Sequence, residues 1–375
     1  MGKRIRVGVS GAGWMGEQFI RRLASHADAE LAAVYDPDRE AASAVLQRAG
    51  ISRDCLVADY RRIMSDKAVD AVMIVSPNTY HAKQSLQAMD AGKHVFCEKP
   101  NSTSWRDHLR MVQADRENPG LTTVTNYTLF FNPMEQRVKQ MVEQGVFGRI
   151  IQAQVNYRHA VNIEGGKAWK LERRFVGDAL GMGITHAVFL LCYFLMPDRP
   201  VSVFAVSQPS TMKRFQVDPI WSLHICFESG ATGTVLGDIE NGNSYDVYQN
   251  LYGTRGGFVF DSQPNDRPAA RYWCEQSGRK WVFPLEDPGP ADSDSGARNW
   301  PQGLSLPTSG NVVDHCTAES LEYFLDHVKT GTKTRLGFEA MRIVQDINFA
   351  AQASARKRAP VSVPAPEQEL AEYIG

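Results

Sequence analysis

The chain has 375 residues, 43% hydrophobic and 22% charged, with a formal net charge of −1. That length suits two domains with separate cores, and the balanced charge excludes electrostatic capture of nucleic acid or of a membrane surface, the Lys3-Arg4 pair being too small to alter it. Cysteines 55, 97, 192, 226, 274 and 316 lack C-x-x-C spacing, and no paired histidines stand at metal-ligand intervals, so free thiols and no metal are expected. After Met1-Gly2-Lys3-Arg4 the sequence enters a strand directly. There is no apolar signal core and no uninterrupted apolar stretch long enough for a bilayer, so a cytoplasmic protein without a membrane partner is expected.

In chain order, the aliphatics from Ile5 to Val9 read as a strand, and Met15, Phe19, Ile20 and Leu23 fall at helical spacing. Between them Gly11-Ala12-Gly13-Trp14-Met15-Gly16 is a G-x-G-x-x-G. One glycine makes the tight turn, one admits a pyrophosphate to the backbone, and one lets helix and strand pack closely. Such triples also occur as plain structural turns. Here the context agrees with a dinucleotide: the apolar run Leu31–Tyr35 ends in Asp36, 20 residues beyond Gly16, where a carboxylate can receive two ribose hydroxyls and repel a 2′-phosphate. NAD is therefore favoured over NADP.

Asp38 can cap a helix that Gly50 closes, and Ala71–Val75 is a continuous apolar run of the kind buried in a parallel sheet. Ser76-Pro77-Asn78-Thr79-Tyr80-His81 follows at that strand's carboxyl end, where open α/β sheets hold ligands. A helix from about His81 to Ala91 ends at Gly92, and the strand His94–Cys97 finishes in Glu98-Lys99-Pro100.

These segments resemble the Gfo/Idh/MocA oxidoreductases, named for glucose-fructose oxidoreductase, inositol dehydrogenase and a rhizopine catabolism protein. The likeness rests on the glycine triple, Ser76-Pro77-Asn78 with His81, and Gly92-Lys93-His94-Val95-Phe96-Cys97-Glu98-Lys99-Pro100. It continues through Phe131-Asn132-Pro133, Gly145 and Gly148, Gly253-Thr254 with Gly256, and the region near Pro360-Val361. The resemblance implies an N-terminal Rossmann NAD-binding domain over residues 1–125 and a C-terminal α+β substrate and oligomerisation domain over 126–375. The second domain would be built on a large, open, mostly antiparallel sheet, its last helix at about 338–355 packing back on the first, and the assembly would be a homodimer or homotetramer. Cofactor contacts would come from Gly11, Gly13, Trp14, Met15, Gly16, Asp36, Ser76, Pro77, Asn78, His81, Glu98, Lys99 and Asn126.

The later residues support such a second domain on their own. Ile151, Ala153, Val155 and Tyr157 alternate with polar neighbours, the period of a half-buried strand, and Trp221–Phe227, Thr232–Leu236, Tyr248–Tyr252 and Phe258–Phe260 read as further strands. Asp261 to Gly310, rich in Pro, Gly, Ser and Asp, reads as a long surface excursion, either a lid or interface arm or a plain solvated loop. Apolar residues from Leu321 to Val328 make one helix and Phe338 to Ala355 another.

Two residues carry the candidate chemistry. An ammonium at a sheet's carboxyl edge, as Lys99 would be, can stabilise an alkoxide forming as hydride leaves, and the resemblance places this lysine on substrate. Its bland alternative is a surface lysine paired with Glu98. His186, in Gly177-Asp178-Ala179-Leu180-Gly181-Met182-Gly183-Ile184-Thr185-His186, can take a hydroxyl proton near neutral pH, or be a core histidine opening an apolar helix. Many family members carry an acid four residues before this histidine and another three after; here stand Met182 and Phe189. Around these, Tyr127, Tyr157, Arg158, His159, Trp169, Lys170, Arg174 and Thr185 are candidate substrate contacts. The cations from Arg158 to Arg174 are either an anion pocket or a solvated face.

The resemblance thus implies an NAD-dependent oxidoreductase acting on a ring hydroxyl of a sugar, sugar derivative or polyol. A second reading is an NAD-dependent glycoside hydrolase, given the Thr185-His186 pair: oxidation, elimination, water addition and re-reduction, with the hydride returned. A catalytically silent NAD-binding sensor is the third.

Overall fold

The computed structural model describes residues 4–161, 163, 167–240, 245–261, 269–277 and 316–375. The chain forms two compact units, one of residues 1–127, 174–177 and 316–342, the other of 128–173, 178–315 and 343–375.

The first unit alternates strand and helix: β1 (Ile5–Ser10), α1 (Trp14–Ala24), β2 (Ala29–Tyr35), α2 (Arg39–Arg48), α3 (Arg61–Ser65), β3 (Ala71–Ile74), α4 (His81–Asp90), β4 (His94–Glu98), α5 (Trp105–Glu117) and β5 (Thr123–Asn126). All five strands are parallel, in the order β2-β1-β3-β4-β5. Every residue of β3 is fully buried, which is why its sequence is an unbroken apolar run rather than an alternating one. Asp38 caps α2 as expected, its Oδ1 accepting the Ala41 N–H at 2.9 Å, and Gly50 follows at a φ of +69°.

The second unit opens with α6 (Pro133–Glu143) and β6 (Ile150–His159). Then come α7 (Arg173–Val176, whose last three residues belong to the first unit), a π-helical turn at Leu180–Ile184, and α8 (Thr185–Leu195). Strands β7 (Pro200–Gln208), β8 (Ile220–Phe227), β9 (Thr232–Asp238), β10 (Tyr245–Gly253), β11 (Gly256–Asp261) and β12 (Ala269–Cys274) follow. With β13 (Val361–Ser362) they complete an eight-stranded sheet of order β12-β11-β10-β6-β9-β8-β7-β13. Its pairs are antiparallel except β6 with β9. The fold is therefore a parallel Rossmann sheet plus a mostly antiparallel one.

All eleven residues of α8 are buried. The helix seats closely on β9, where a Cβ on Gly233 would stand 2.5 Å from Leu191 and one on Gly237 2.4 Å from Ile184. Strand glycines of this kind mark close approach of another element. The 173–195 segment is apolar and long enough to cross a bilayer by composition, but most of it is buried inside the protein; covering a sheet accounts for the apolarity.

The remaining elements are α9 (Thr317–Thr330), α10 (Arg342–Lys357) and α11 (Glu367–Ile374). The first of these lies in the first unit, where the Phe324 ring meets Phe96 edge-on at 5.6 Å and Phe96 meets Phe19 at 5.0 Å. Three expectations need correcting. The stretch after Asp261 is not wholly an excursion, since Ala269–Cys274 pairs along β11, and 262–268 and 278–315 lie outside the described residues. The helix expected from Phe338 starts at Arg342, because Phe338 is instead fully buried in the first unit's core. Ile151, expected on the inner face of β6, is 43% exposed, and the expected alternation fails again further on, where Asn156 is buried between Val155 and Tyr157.

Candidate active site

The first unit builds its site mostly from backbone. Gly11 sits at a φ of +106°, in the region L residues avoid, and a Cβ there would come 2.5 Å from the Val75 carbonyl oxygen. A Cβ on Gly16 would lie 2.1 Å from the Gly11 carbonyl oxygen, whereas one on Gly13 would meet nothing within 4 Å. The turn therefore closes on itself at its first and third glycines and stays open at the second. No side chain caps α1, which begins at Trp14 directly after Gly13. Trp14 is exposed and Met15 half-buried beside it. Asp36, half-buried, accepts the Ala12 N–H at 2.7 Å through Oδ2 and the Asp38 N–H at 2.9 Å through Oδ1. A carboxylate oxygen has more than one acceptor site, so these bonds aim the group while leaving capacity for ribose hydroxyls.

At the ends of β3 and β4 the residues are tied to one another. The Ser76 hydroxyl donates to Gln84 at 3.0 Å, and the Asn78 amide donates to the Val176 carbonyl at 3.2 Å. Both ring nitrogens of His81 lie 2.7 Å from carbonyl oxygens, those of Pro100 and Ser76. Glu98 is buried; burial pushes its carboxyl above the usual range, against the pull of Lys99 and a 2.6 Å hydrogen bond from the Asn126 amide. Asn126 is fully buried, and its Oδ1 has no hydrogen-bond partner among the described residues. Lys99 is half-buried, and desolvation pulls its ammonium below the ordinary lysine value while Glu98 holds it up. An ammonium so placed is a strong electrostatic partner for a developing negative oxygen. Tyr127 has no exposed surface, so its phenol faces protein.

In the second unit His186 is the second residue of α8, just after the π-helical turn, and is 9% exposed. Wide turns of this kind recur at functional positions. The Tyr157 ring packs against His186 with centroids 5.6 Å apart, and its hydroxyl lies 3.3 Å from Nδ1 of His159, two residues along β6. Gly183 packs tightly beneath Tyr157, for a Cβ there would stand 3.2 Å from the ring. Thr185 is fully buried, its hydroxyl accepting from the Asn348 amide at 3.1 Å, so it serves packing of α10 on α8. Met182 and Phe189 are buried apolar neighbours. Asp178 hydrogen-bonds the Leu180 N–H at 2.7 Å, capping the wide turn; burial raises its carboxyl to about 6.

The cations of the basic run lie in three different elements. Arg158 is exposed and His159 half-buried at the end of β6, while half-buried Trp169 and Lys170 lie in a 3₁₀ turn. Arg173 donates to the Gln216 carbonyl in the second unit; Arg174 belongs to the first, its carbonyl accepting from Thr79 and its guanidinium stacked on Phe175 at 4.6 Å.

The sequence profile of the oxidoreductase family with an NAD-binding Rossmann fold, GFO_IDH_MocA, matches residues 5–126, and that of the family's C-terminal domain matches 136–259. The chain belongs to the Gfo/Idh/MocA family. It is similar to levoglucosan dehydrogenase of Pseudarthrobacter phenanthrenivorans, at 24% identity over 96% of this chain and 99% of that one. It is also similar to 2,7-anhydro-N-acetylneuraminate hydratase of Escherichia coli, at 33% identity over 47% of this chain and 46% of that one. That alignment, like the 30% match to an uncharacterized oxidoreductase of Streptococcus pneumoniae, spans about half the relative's length. A solved structure of levoglucosan dehydrogenase with NADH superposes at a TM-score of 0.78, 22% identity, covering 97% of this chain and 100% of that one.

The family's dinucleotide fits the residues present. The opening over Gly13, the uncapped helix start, the oriented Asp36 and the unpartnered Asn126 Oδ1 are a donor and acceptor set suited to a pyrophosphate, a ribose diol and a carboxamide. Sequence reasoning missed Gln84, which anchors Ser76, and Asn348, which anchors Thr185. The buried polar residues interrupting the apolar faces of α4 and α10 were the available signal.

Proposed function

We propose that this family member is an NAD-dependent oxidoreductase that takes hydride from a ring hydroxyl of a sugar, sugar derivative or polyol. The carrying observation is the half-buried Lys99 at the end of β4, its ammonium opposed by buried Glu98 and set in the same sheet edge as the open glycine turn. NAD, when bound, supplies the hydride acceptor. Lys99 hydrogen-bonds the reacting oxygen and stabilises the negative charge that grows on it. His186 accepts the hydroxyl proton, and Tyr157 holds the imidazole in place through ring packing. Trp169, Lys170, Arg158 and His159 are proposed to contact the rest of the substrate, and Arg174 to flank it. The exposed apolar residues Ile151, Val201, Phe204 and Val206 on the second sheet support a homo-oligomer.

The test mixes purified protein and NAD with levoglucosan, myo-inositol or 2,7-anhydro-N-acetylneuraminate. NADH absorbance is expected with at least one polyol or anhydrosugar. A second reading, oxidation followed by elimination or hydration with hydride returned, is favoured by buried Met182 at the position where the family resemblance implies an acid, and by the similarity to a hydratase. It predicts product without NADH accumulation. Neither outcome across the panel would leave a dinucleotide binder.

A further inference from the structure

His81 belongs to the motif that suggests a cofactor ligand, yet its ring has nothing left to give one. The side chain is 1% exposed, and both nitrogens are spent on main-chain carbonyls at 2.7 Å: Nδ1 on Pro100, the residue after Lys99, and Nε2 on Ser76, in the loop after β3. We propose that His81 is a positioning residue for Lys99, clasping the loop that follows β3 to the loop that carries the ammonium. The proposal rests on Lys99 acting at the reacting oxygen, as argued above.

The chemistry of the ring makes this more than a packing contact. Carbonyl oxygens only accept, and a neutral imidazole has one N–H, so both bonds form together only when the ring carries two protons. Burial pulls His81 below the ordinary histidine value, the two carbonyls pull it up, and the Lys99 charge pulls it down again. The charges around the clasp are Lys99 and buried Glu98 on the β4 side, with Lys83 on α4 and Arg174 in the segment hydrogen-bonded to Thr79 both exposed. Loss of one proton releases one carbonyl and loosens the tie between the loops. Whichever carbonyl is released, the direct tie is cut, because a ring bonded to one loop no longer joins both.

The experiment compares His81→Gln, which can still reach one carbonyl, with His81→Ala, which reaches neither, using NAD and levoglucosan or myo-inositol. Expected is a fall in kcat of tenfold or more for H81A and a smaller fall for H81Q. The NAD dissociation constant, read by fluorescence without substrate, should change less than threefold. The alkaline limb of kcat should also rise by at least half a pH unit as Lys99 gains water. A dissociation constant that worsens as much as kcat would make His81 a cofactor ligand and overturn the proposal. So would a lowered melting temperature with kcat and its alkaline limb unmoved. Should the variants not fold, or no probe turn over, the native protein decides by NMR: two slowly exchanging His81 ring N–H signals in acid becoming one as pH rises, against fast exchange or a single N–H signal at every pH, either of which overturns the clasp. A Lys99→Ala variant that keeps full turnover sinks the assigned role of Lys99 instead, whatever the NMR shows.

Discussion

The two sheets carry their candidate site residues in opposite ways. At the carboxyl edge of the parallel sheet, the candidate site features are main-chain groups exposed by glycines, and side chains such as Asp36 and His81 are fixed by bonds to backbone N–H or C=O. In the second unit the candidate features are buried side chains leaning on other side chains, His186 on Tyr157 and Thr185 on Asn348, and Glu135, outside the candidate site, leans on Gln249 in the same way. A backbone-built site tolerates change in most of its side chains but in none of its glycines. A side-chain-built site is sensitive wherever a buried polar group loses its neighbour.

The sharpest probe of that contrast is Glu135. It is 2% exposed on α6, hydrogen-bonded by the Gln249 amide at 2.8 Å, and burial raises its carboxyl to about 8. The folded state thus keeps a proton that the unfolded chain releases near 4.5. Stability from this group is complete below that pH and is lost as pH rises toward 8, by up to about 5 kcal/mol. Chemical denaturation at pH 5 and pH 8.5 should show wild type weakening while Glu135→Gln changes little. Parallel curves would mean that the carboxyl is already ionised in the fold.

Next in size is Lys99. Replacing it with Ala should lower kcat by roughly 100-fold to 1,000-fold, the range for removing one donor to a developing oxyanion. The NAD dissociation constant should stay within threefold. Equal loss in both would turn Lys99 into a cofactor contact.

The glycines sharpen the comparison within one turn. Gly16→Ala places a methyl 2.1 Å from the Gly11 carbonyl oxygen, and should cost about 1–3 kcal/mol of stability through forced backbone movement. Gly13→Ala meets nothing within 4 Å and should leave stability within about 0.5 kcal/mol, yet weaken NAD about tenfold. Calorimetry with and without NAD separates the two; equal destabilisation would mean that the opening over Gly13 is not where the dinucleotide approaches.

This contrast also explains what the sequence made legible. The glycine triple, Asp36 and the Ala71–Ile74 run are local marks of a backbone-built site, so β1, β2, β3 and the nucleotide edge could be read directly. Lys99 and His186 came through the resemblance, because neither carries a local signature that separates a functional side chain from a core or surface one. The π-helical turn, the Tyr157 contact beneath it and the Asn348 tie depend on residues 26 to 163 positions apart meeting in space, which no periodicity encodes. Pairing of β12 with β11 was hidden for a related reason: Ala269–Cys274 is short and flanked by polar, turn-rich sequence, and its register is set by its neighbour.

Asp36 offers the smallest effect and the finest discrimination. Both of its oxygens already hold a main-chain N–H, one from the glycine turn and one from the start of the α2 cap, so the carboxylate is oriented before any ligand arrives. Asp36→Asn keeps the shape and one acceptor oxygen, but its amide must face one of those N–H groups donor to donor. Asp36→Ala removes both acceptors and the charge. If the carboxylate reads a ribose diol, the Ala variant should weaken NAD about tenfold, close to the 1.4 kcal/mol of a lost charge-assisted hydrogen bond. It should also improve NADP, because the charge that repels a 2′-phosphate is gone. The Asn variant should relax NADP rejection as much but disturb the turn as well, so its NAD affinity should fall at least as far. Isothermal titration with both dinucleotides decides this: an NADP affinity unchanged in both variants would mean that Asp36 only braces the turn and that discrimination lies elsewhere in the first unit.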